Sequence, residues 1–115
     1  MSEYETNMEA VPSSGGYSST KNVTLKDAVE MGEYDPEYLS RFAEWHTLSK
    51  TMQWSFIEKA LDNAERHLVQ QWAVVNNVLD FRLKPELQIA LRNIEAKRHK
   101  VLDDREKLLL KYSSQ

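Results

Sequence analysis

Cysteine is absent from the 115-residue sequence, which excludes disulfides, thiolate metal sites and thiol nucleophiles. Glycine is also scarce: two of the three glycines are adjacent at residues 15–16, so a phosphate-cradling loop of the Walker or Rossmann kind is excluded. No run approaches the roughly eighteen apolar residues of a membrane span, and no apolar stretch near the N-terminus resembles a secretory signal. We therefore expect a protein of the cytoplasm or nucleus that does not span a membrane.

The residues that usually carry out catalysis or bind metals are sparse and scattered. His46, His67 and His99 are far apart, and none has the His-x-x-x-His or Glu-x-x-His spacing that projects metal ligands from one helix face. Glu95 precedes His99 by four residues, a spacing typical of an exposed helical ion pair. We predict no catalytic residue, no metal site and no cofactor, and therefore a protein that is not an enzyme.

The formal net charge of −3 argues against a dedicated nucleic-acid binder. Residues 1–37 hold eight acids and two bases, a net of −6, whereas residues 38–115 hold ten acids and thirteen bases, a net of +3. The densest basic group supplies the candidate anion contacts, which are Arg92, Lys97, Arg98 and Lys100. Acidic residues follow this group at once, and no aromatic side chain is interleaved for base stacking. We expect any nucleic-acid contact to be weak and nonspecific.

The N-terminal third divides into a tail and a short helix. Residues 1–22 are acidic, rich in serine and poor in aliphatic side chains, so they cannot offset the entropy of ordering, and we predict a disordered tail. Residues 23–34 predict one short helix and a linker, because Thr24 and Asp27 have the spacing of a capping box and Gly32 is a suitable left-handed stop. A helix this short is marginal alone, so we expect it to dock on the rest of the chain.

Residues 35–115 form the predicted main body. Asp35 suits a helix N-cap, and Pro36 suits the first helical position, where its missing N–H costs nothing. Neither glycine nor proline occurs between Pro36 and about Leu83. This absence predicts one continuous helix of roughly 70 Å at a rise of about 1.5 Å per residue.

Pro85 interrupts the helical pattern. Inside a helix a proline costs about 3 kcal/mol and biases the preceding residue, here Lys84, away from helical angles. At the first position of a new helix the same proline costs nothing. A kinked rod is the alternative, but a turn at about residues 82–85 is cheaper. We predict a second helix over about residues 85–112, about 40 Å long, that folds back over the C-terminal half of the first.

The second helix has a contact line at alternating spacings of four and three, as in a coiled coil. With one apolar line of the first helix it gives the predicted hairpin seam: Ile57, Leu61, Leu68, Trp72, Val75, Leu79, Leu87, Leu91, Ile94 and Val101. Arg98 and Arg105 interrupt this seam. Either they lay their aliphatic stems along it and reach acidic partners, or the seam shifts toward Leu102 and Leu109 and both arginines face water.

The first helix carries a second apolar line, roughly 100° away from the seam line. The returning helix is too short to cover it, so we assign this line to partner binding: Tyr38, Phe42, Trp45, Met52 and Phe56. On this interpretation Trp45→Ala spares the fold and removes a partner. Alternatively, these aromatic residues are the ordinary core of a bundle that another copy or another protein completes.

Together these patterns predict an all-α fold in which a long helix and a shorter one form an antiparallel helical hairpin or coiled coil. One short helix and the disordered tail precede the hairpin. The function that fits best is a non-catalytic small helical subunit or adaptor that joins a multiprotein assembly through coiled-coil or helix-bundle packing. Other helical protein subunits are the expected partners, and a hetero-complex is favoured over a homo-oligomer. The alternative is a self-associating hairpin that contacts nucleic acid or an anionic surface through its basic C-terminal helix.

Overall fold

A computed structural model describes residues 23–113, and every regular element in that part of the chain is helical. The elements are α1 (Leu25–Glu30), α2 (Pro36–Leu39), a 3₁₀ helix (Ala43–Thr47), α3 (Lys50–Asn76), a second 3₁₀ helix (Phe81–Leu83) and α4 (Pro85–Ser113). The helices α3 and α4 pack against each other as a hairpin, which confirms the predicted fold class. The predicted disordered tail, residues 1–22, lies outside the described residues.

The short helix α1 forms where the sequence predicts it. The amide of Asp27 donates to Thr24 Oγ1 at 3.1 Å, and the amide of Thr24 donates to Asp27 Oδ2 at 3.2 Å, so the capping box is complete. Gly32 follows the helix with φ at 86°, and its amide donates to the carbonyl of Val29. This left-handed glycine closes the C-terminus of α1 in the way that the sequence indicates.

The predicted continuous helix over residues 36–83 is wrong. Asp35 and Pro36 do start a helix, but α2 ends at Leu39 and α3 begins only at Lys50. Between them lies a 3₁₀ helix with extended backbone at either end. Because α3 also ends early, at Asn76, the two long helices are nearly equal, with 27 residues in α3 and 29 in α4. The second helix is therefore not the shorter one.

Hydroxyl side chains and a buried tryptophan explain the break before α3. Ser40 Oγ donates to the carbonyl of Glu37 at 2.7 Å, a local bond that competes with continuation of the helix. Ser49 Oγ accepts from the amide of Met52 at 3.2 Å and caps the new helix. The bend between these points turns Trp45 into the core, where it is 4 % exposed. Burial of this large side chain offsets the helical hydrogen bonds that the bend gives up.

The two long helices run antiparallel. Near the open end of the hairpin the ring of Trp54 stacks on that of Tyr112, with centroids 5.8 Å apart. Among the residues assigned to the seam, the structure buries Ile57, Leu61, Leu68, Ile94 and Val101, packs Trp72 and Val75 against them, and leaves Leu87 and Leu91 half-buried. These apolar contacts hold α3 and α4 together.

The two arginines of the seam reach acidic partners on α3. Arg105 Nη2 lies 2.8 Å from Asp62 Oδ1 and 3.8 Å from Glu65 Oε1, and Arg98 Nη2 lies 4.0 Å from Glu65 Oε2. Both arginines are only half-exposed, which fits aliphatic stems laid along the apolar seam. The shifted seam is wrong, because the two leucines that it requires are exposed.

Residues 77–84 form the turn of the hairpin. Lys84 has φ and ψ of −112° and 104°, the extended conformation expected before a proline, and Pro85 begins α4. Asp80 takes a left-handed conformation with φ at 60°, which aspartate tolerates better than most residues, so the turn forms without a glycine. The side-chain amide of Gln88 donates to the carbonyl of Arg82 and ties the turn to α4. The alternative prediction of one helix kinked at Pro85 is therefore wrong.

Residues 25–49, called the wrapping segment below, pack along one side of the hairpin. Asn63 of α3 is buried and donates from Nδ2 to the carbonyl of Val29 at 2.9 Å. Gly32 passes so close to α3 that a Cβ built on it would lie 2.9 Å from the Cα of Ala64. These contacts bury the apolar face of the segment, which consists of Leu25, Ala28, Val29, Leu39 and Trp45.

Candidate functional site

The line of residues predicted to bind a partner is largely covered by the chain itself. Trp45 lies in the core, and Tyr38, Phe42 and Phe56 are half-buried and pack against it. The rings of Tyr38 and Phe42 meet edge to face at 5.8 Å. Only Met52, at 46 % exposure, is largely open. The prediction that Trp45 anchors a partner is wrong, because the bend before α3 folds this line onto the hairpin.

The open apolar surface lies instead where the hairpin turns. Residues 69–96, called the hairpin end below, extend past the wrapping segment, and Ile94 is the one buried side chain among them. The exposed large apolar residues of this stretch are Val69, Val74, Val78, Leu79, Leu83 and Ile89. Large exposed apolar patches on proteins commonly coincide with sites of contact, so this stretch is the candidate site of the chain.

Two leucines at the tip are the most exposed of this group. Leu79 is 83 % exposed and Leu83 is 79 % exposed, one on each side of the left-handed Asp80. The assignment of Leu79 to the seam is wrong, because α3 ends at Asn76 and Leu79 no longer follows its helical spacing. Sequence reasoning missed this tip. The sequence signal for it is the pair Asn76 and Asn77, which are poor helix formers and therefore favour an earlier end of α3.

The four predicted anion contacts do not form one open basic surface. Arg92 and Lys97 are exposed on α4. Arg98 turns into the seam, and Lys100 Nζ donates to Asp104 Oδ2 at 2.7 Å. Two of the four charges therefore have acidic partners within the chain.

A polar cluster joins the wrapping segment to α4. Tyr34 Oη donates to Asp104 Oδ2 at 2.7 Å, the same oxygen that accepts from Lys100. The hydrogen bonds from Lys100 and Tyr34 lower the pKa of the Asp104 carboxyl, and the bond to Asp104 raises the pKa of Lys100. Burial and the hydrogen bond to Asp104 raise the pKa of the Tyr34 hydroxyl. These pKa shifts keep the Asp104 carboxylate charged and the Tyr34 hydroxyl neutral. The cluster therefore links the wrapping segment to α4 and does not suit proton transfer.

Residues 23–113 contain no group of three or more histidine, aspartate or glutamate side chains placed to hold a metal ion. In the same part of the chain no helix has both the length and the apolar character needed to cross a bilayer. Comparison with protein-family models, curated proteins and solved structures gives no match. The exposed hairpin end is thus the feature from which function is inferred.

Proposed function

We propose that the chain is a non-catalytic helical subunit or adaptor that joins a multiprotein assembly by helix packing at its hairpin end. The observation that carries the proposal is the exposure of Leu79 and Leu83 at the tip, at 83 % and 79 %. Burying one leucine contributes roughly 1.5–3 kcal/mol relative to leaving it in water, so a partner that covers both leucines gains substantial binding free energy.

The charge of the hairpin end supports a protein partner over nucleic acid. Residues 69–96 hold three acids and three bases, a net charge of zero. A surface that binds through phosphates needs an excess of bases. A neutral surface with apolar side chains among scattered charges has the composition of a protein interface, with an apolar centre and a polar rim.

The test is co-purification with matched leucine variants. Leu79→Asp and Leu83→Asp place a charge at the tip, and Leu110→Asp places the same charge on a leucine that is 70 % exposed near the far end of α4. Since all three sites are on the surface, we expect circular dichroism and melting to stay as in the wild type.

We expect the tip variants to lose the proteins that co-purify with the tagged full chain from its own cells, as measured by quantitative mass spectrometry. Leu110→Asp should retain them. Equal recovery by the tip variants and the control would contradict the proposal.

A further inference from the structure

We propose that one face of the hairpin end is a homodimer interface, on which the hairpin end of a second copy of this chain packs in antiparallel orientation. This inference rests on the proposed function, because it names the occupant of part of the same surface. The occupant follows from three features of that face: where the wrapping segment stops, the order of charges along α4, and the position of an exposed valine on α3.

The face continues the side of the hairpin that the wrapping segment covers. Beside the wrapping segment, α4 presents Asp104, which accepts hydrogen bonds from Tyr34 of that segment and from Lys100 of α4. Farther toward the turn, Val74 of α3 and Ala90 of α4 line an open cleft, together with Gln71, Val75, Asn93, Ile94 and Lys97. The wrapping segment therefore covers half of a continuous face and leaves the other half open.

Along this open half, α4 carries a row of residues with heptad spacing. Ala90, Asn93 and Lys97 line the cleft, and Glu86 precedes Ala90 by four residues and Asn93 by seven. Spacings of four, three and four keep residues on one side of a helix. The row thus has an acid at one end, a base at the other and two small side chains between them.

The order of these charges makes the row complementary to itself. Glu86 and Lys97 are eleven residues apart, which is about three helical turns. A twofold axis perpendicular to α4 at the middle of the row places Glu86 of each copy beside Lys97 of the other. The same axis places Ala90 beside Asn93 of the second copy, and these small side chains allow the helices to approach closely.

The same axis also brings the exposed valine of α3 into contact with its counterpart in the second copy. The cross-helix contacts of Trp54 with Tyr112 and of Arg105 with Asp62 set a register in which Val74 lies opposite the middle of the row, so an axis through that point passes beside Val74. Val74 of one copy then packs against Val74 of the other and buries a side chain that is 69 % exposed in the single chain. A parallel arrangement is excluded, because it would place the two wrapping segments in the same space.

The size of the contact sets the expected affinity. Two helices over about twelve residues give a face roughly 18 Å long and 20 Å wide. Two such faces bury roughly 720 Å² in total, which is less than the roughly 1,000 Å² of a stable specific interface and belongs to the weak, transient class. We therefore expect a reversible dimer with a dissociation constant of roughly tens to hundreds of micromolar.

The test is sedimentation equilibrium of the full chain over a series from low to several hundred micromolar, with two matched valine variants. Val74→Asp should be monomeric throughout, because the twofold axis brings two like charges together in a desolvated contact. Val69→Asp is the control: it places the same charge on an exposed valine of α3 about 140° around the helix, and its dimerisation should match the wild type. Circular dichroism verifies that both variants are folded.

A charge swap tests the antiparallel register. Lys97→Glu should raise the dissociation constant about tenfold or more, because two symmetry-related pairs change from attractive to repulsive. Glu86→Lys combined with Lys97→Glu restores both pairs, so its dissociation constant should return to within about threefold of the wild type. Failure of the double variant to restore the dimer would overturn the register.

A wild type that stays monomeric over the whole series, a larger or open-ended oligomer, or equal effects of the two valine variants would overturn the homodimer. If the wild type is monomeric while Leu79→Asp and Leu83→Asp still lose their co-purifying proteins, the homodimer is wrong and the proposed function stands. If the dimer forms as described while the tip variants keep every co-purifying protein, the proposed function is wrong and the homodimer stands.

Discussion

At the scale of single residues, Asp104 links the wrapping segment to the hairpin. Its Oδ2 atom accepts hydrogen bonds from Tyr34 and Lys100, both at 2.7 Å. The bond from Lys100 stays within α4, where the two residues are four positions apart, whereas the bond from Tyr34 crosses between distant parts of the chain. Tyr34 is therefore the member of the cluster that reports on docking of the wrapping segment.

We predict that Tyr34→Phe lowers the free energy of unfolding by about 1–2 kcal/mol, because it removes a hydrogen bond to a charged acceptor and keeps the ring. Urea unfolding measures the change. Tyr38→Phe is the control, since the Tyr38 hydroxyl makes no hydrogen bond to the described residues, and we expect it to leave stability nearly unchanged. Equal losses in the two variants would show that the hydroxyl of Tyr34 is not the cause.

The lowered pKa of Asp104 predicts a loss of stability in acid. A carboxyl whose pKa is lower in the folded than in the unfolded protein stabilises the fold above its ordinary pKa, and this contribution disappears as pH falls through the folded pKa. The stability difference between the wild type and Asp104→Asn should therefore be full near neutral pH and shrink below about pH 4. Urea unfolding of both proteins at several pH values measures it. A difference that stays constant down to about pH 2 would contradict this account.

At the scale of elements, the end of α1 depends on Gly32. Its φ of 86° is unfavourable for residues with a side chain, and a Cβ there would lie 2.9 Å from the Cα of Ala64. We predict that Gly32→Ala lowers the free energy of unfolding by about 2 kcal/mol or more, as measured by thermal and urea unfolding. Gly32→Asn separates the causes, because asparagine tolerates the left-handed backbone but also carries a Cβ. A comparable loss in Gly32→Asn assigns the effect to crowding against Ala64.

Helices that begin with a capping box or a proline could be predicted from the sequence. The capping box of Thr24 and Asp27, the start at Pro36 and the start at Pro85 each depend on residues at most three positions apart in the chain. Such local preferences act on any chain that contains these residues, whatever the rest of the fold does. The hairpin and its preceding short helix follow from them.

The break before α3 could not be predicted in this way, and it decides which apolar side chains stay exposed. No glycine or proline marks residues 40–49, and the bend there is stabilised by the burial of Trp45 against distant parts of the chain. At the other end, α3 stops at Asn76 on the weak signal of two asparagines, which moves Leu79 from the seam to the surface. Helical spacing predicts other positions for Trp45 and Leu79, because this rule holds only as long as the helix continues.

At the scale of the whole molecule, Trp45 holds the wrapping segment against the hairpin. We predict that Trp45→Ala lowers the free energy of unfolding by about 3–5 kcal/mol, as expected for deletion of a buried aromatic side chain. Met52→Ala is the matched control, because sequence spacing placed both residues on one line while the structure leaves Met52 46 % exposed. Urea unfolding should show a change of at most about 1 kcal/mol for Met52→Ala. Similar losses in both variants would contradict the position of Trp45.

The molecule also divides into a thicker and a thinner part. The wrapping segment adds a third layer beside the open end, whereas the hairpin end consists of two helices with one buried side chain, Ile94. We predict that in the monomer the amides of residues 69–76 exchange with solvent faster than those of residues 57–68, because fewer apolar contacts oppose local opening. Hydrogen exchange with mass spectrometry measures the difference. Equal protection along the whole of α3 would contradict it.

The three tryptophans occupy separate parts of this molecule and serve as built-in fluorophores. Trp45 of the wrapping segment is buried against the hairpin, Trp54 stacks on Tyr112 at the open end, and Trp72 is half-buried within the hairpin end. Chains that keep one indole and replace the other two by phenylalanine would emit from one known location each. A red shift from Trp45 would then signal release of the wrapping segment, and a red shift from Trp54 would signal fraying of the open end. A blue shift from Trp72 would signal that another molecule has covered the hairpin end.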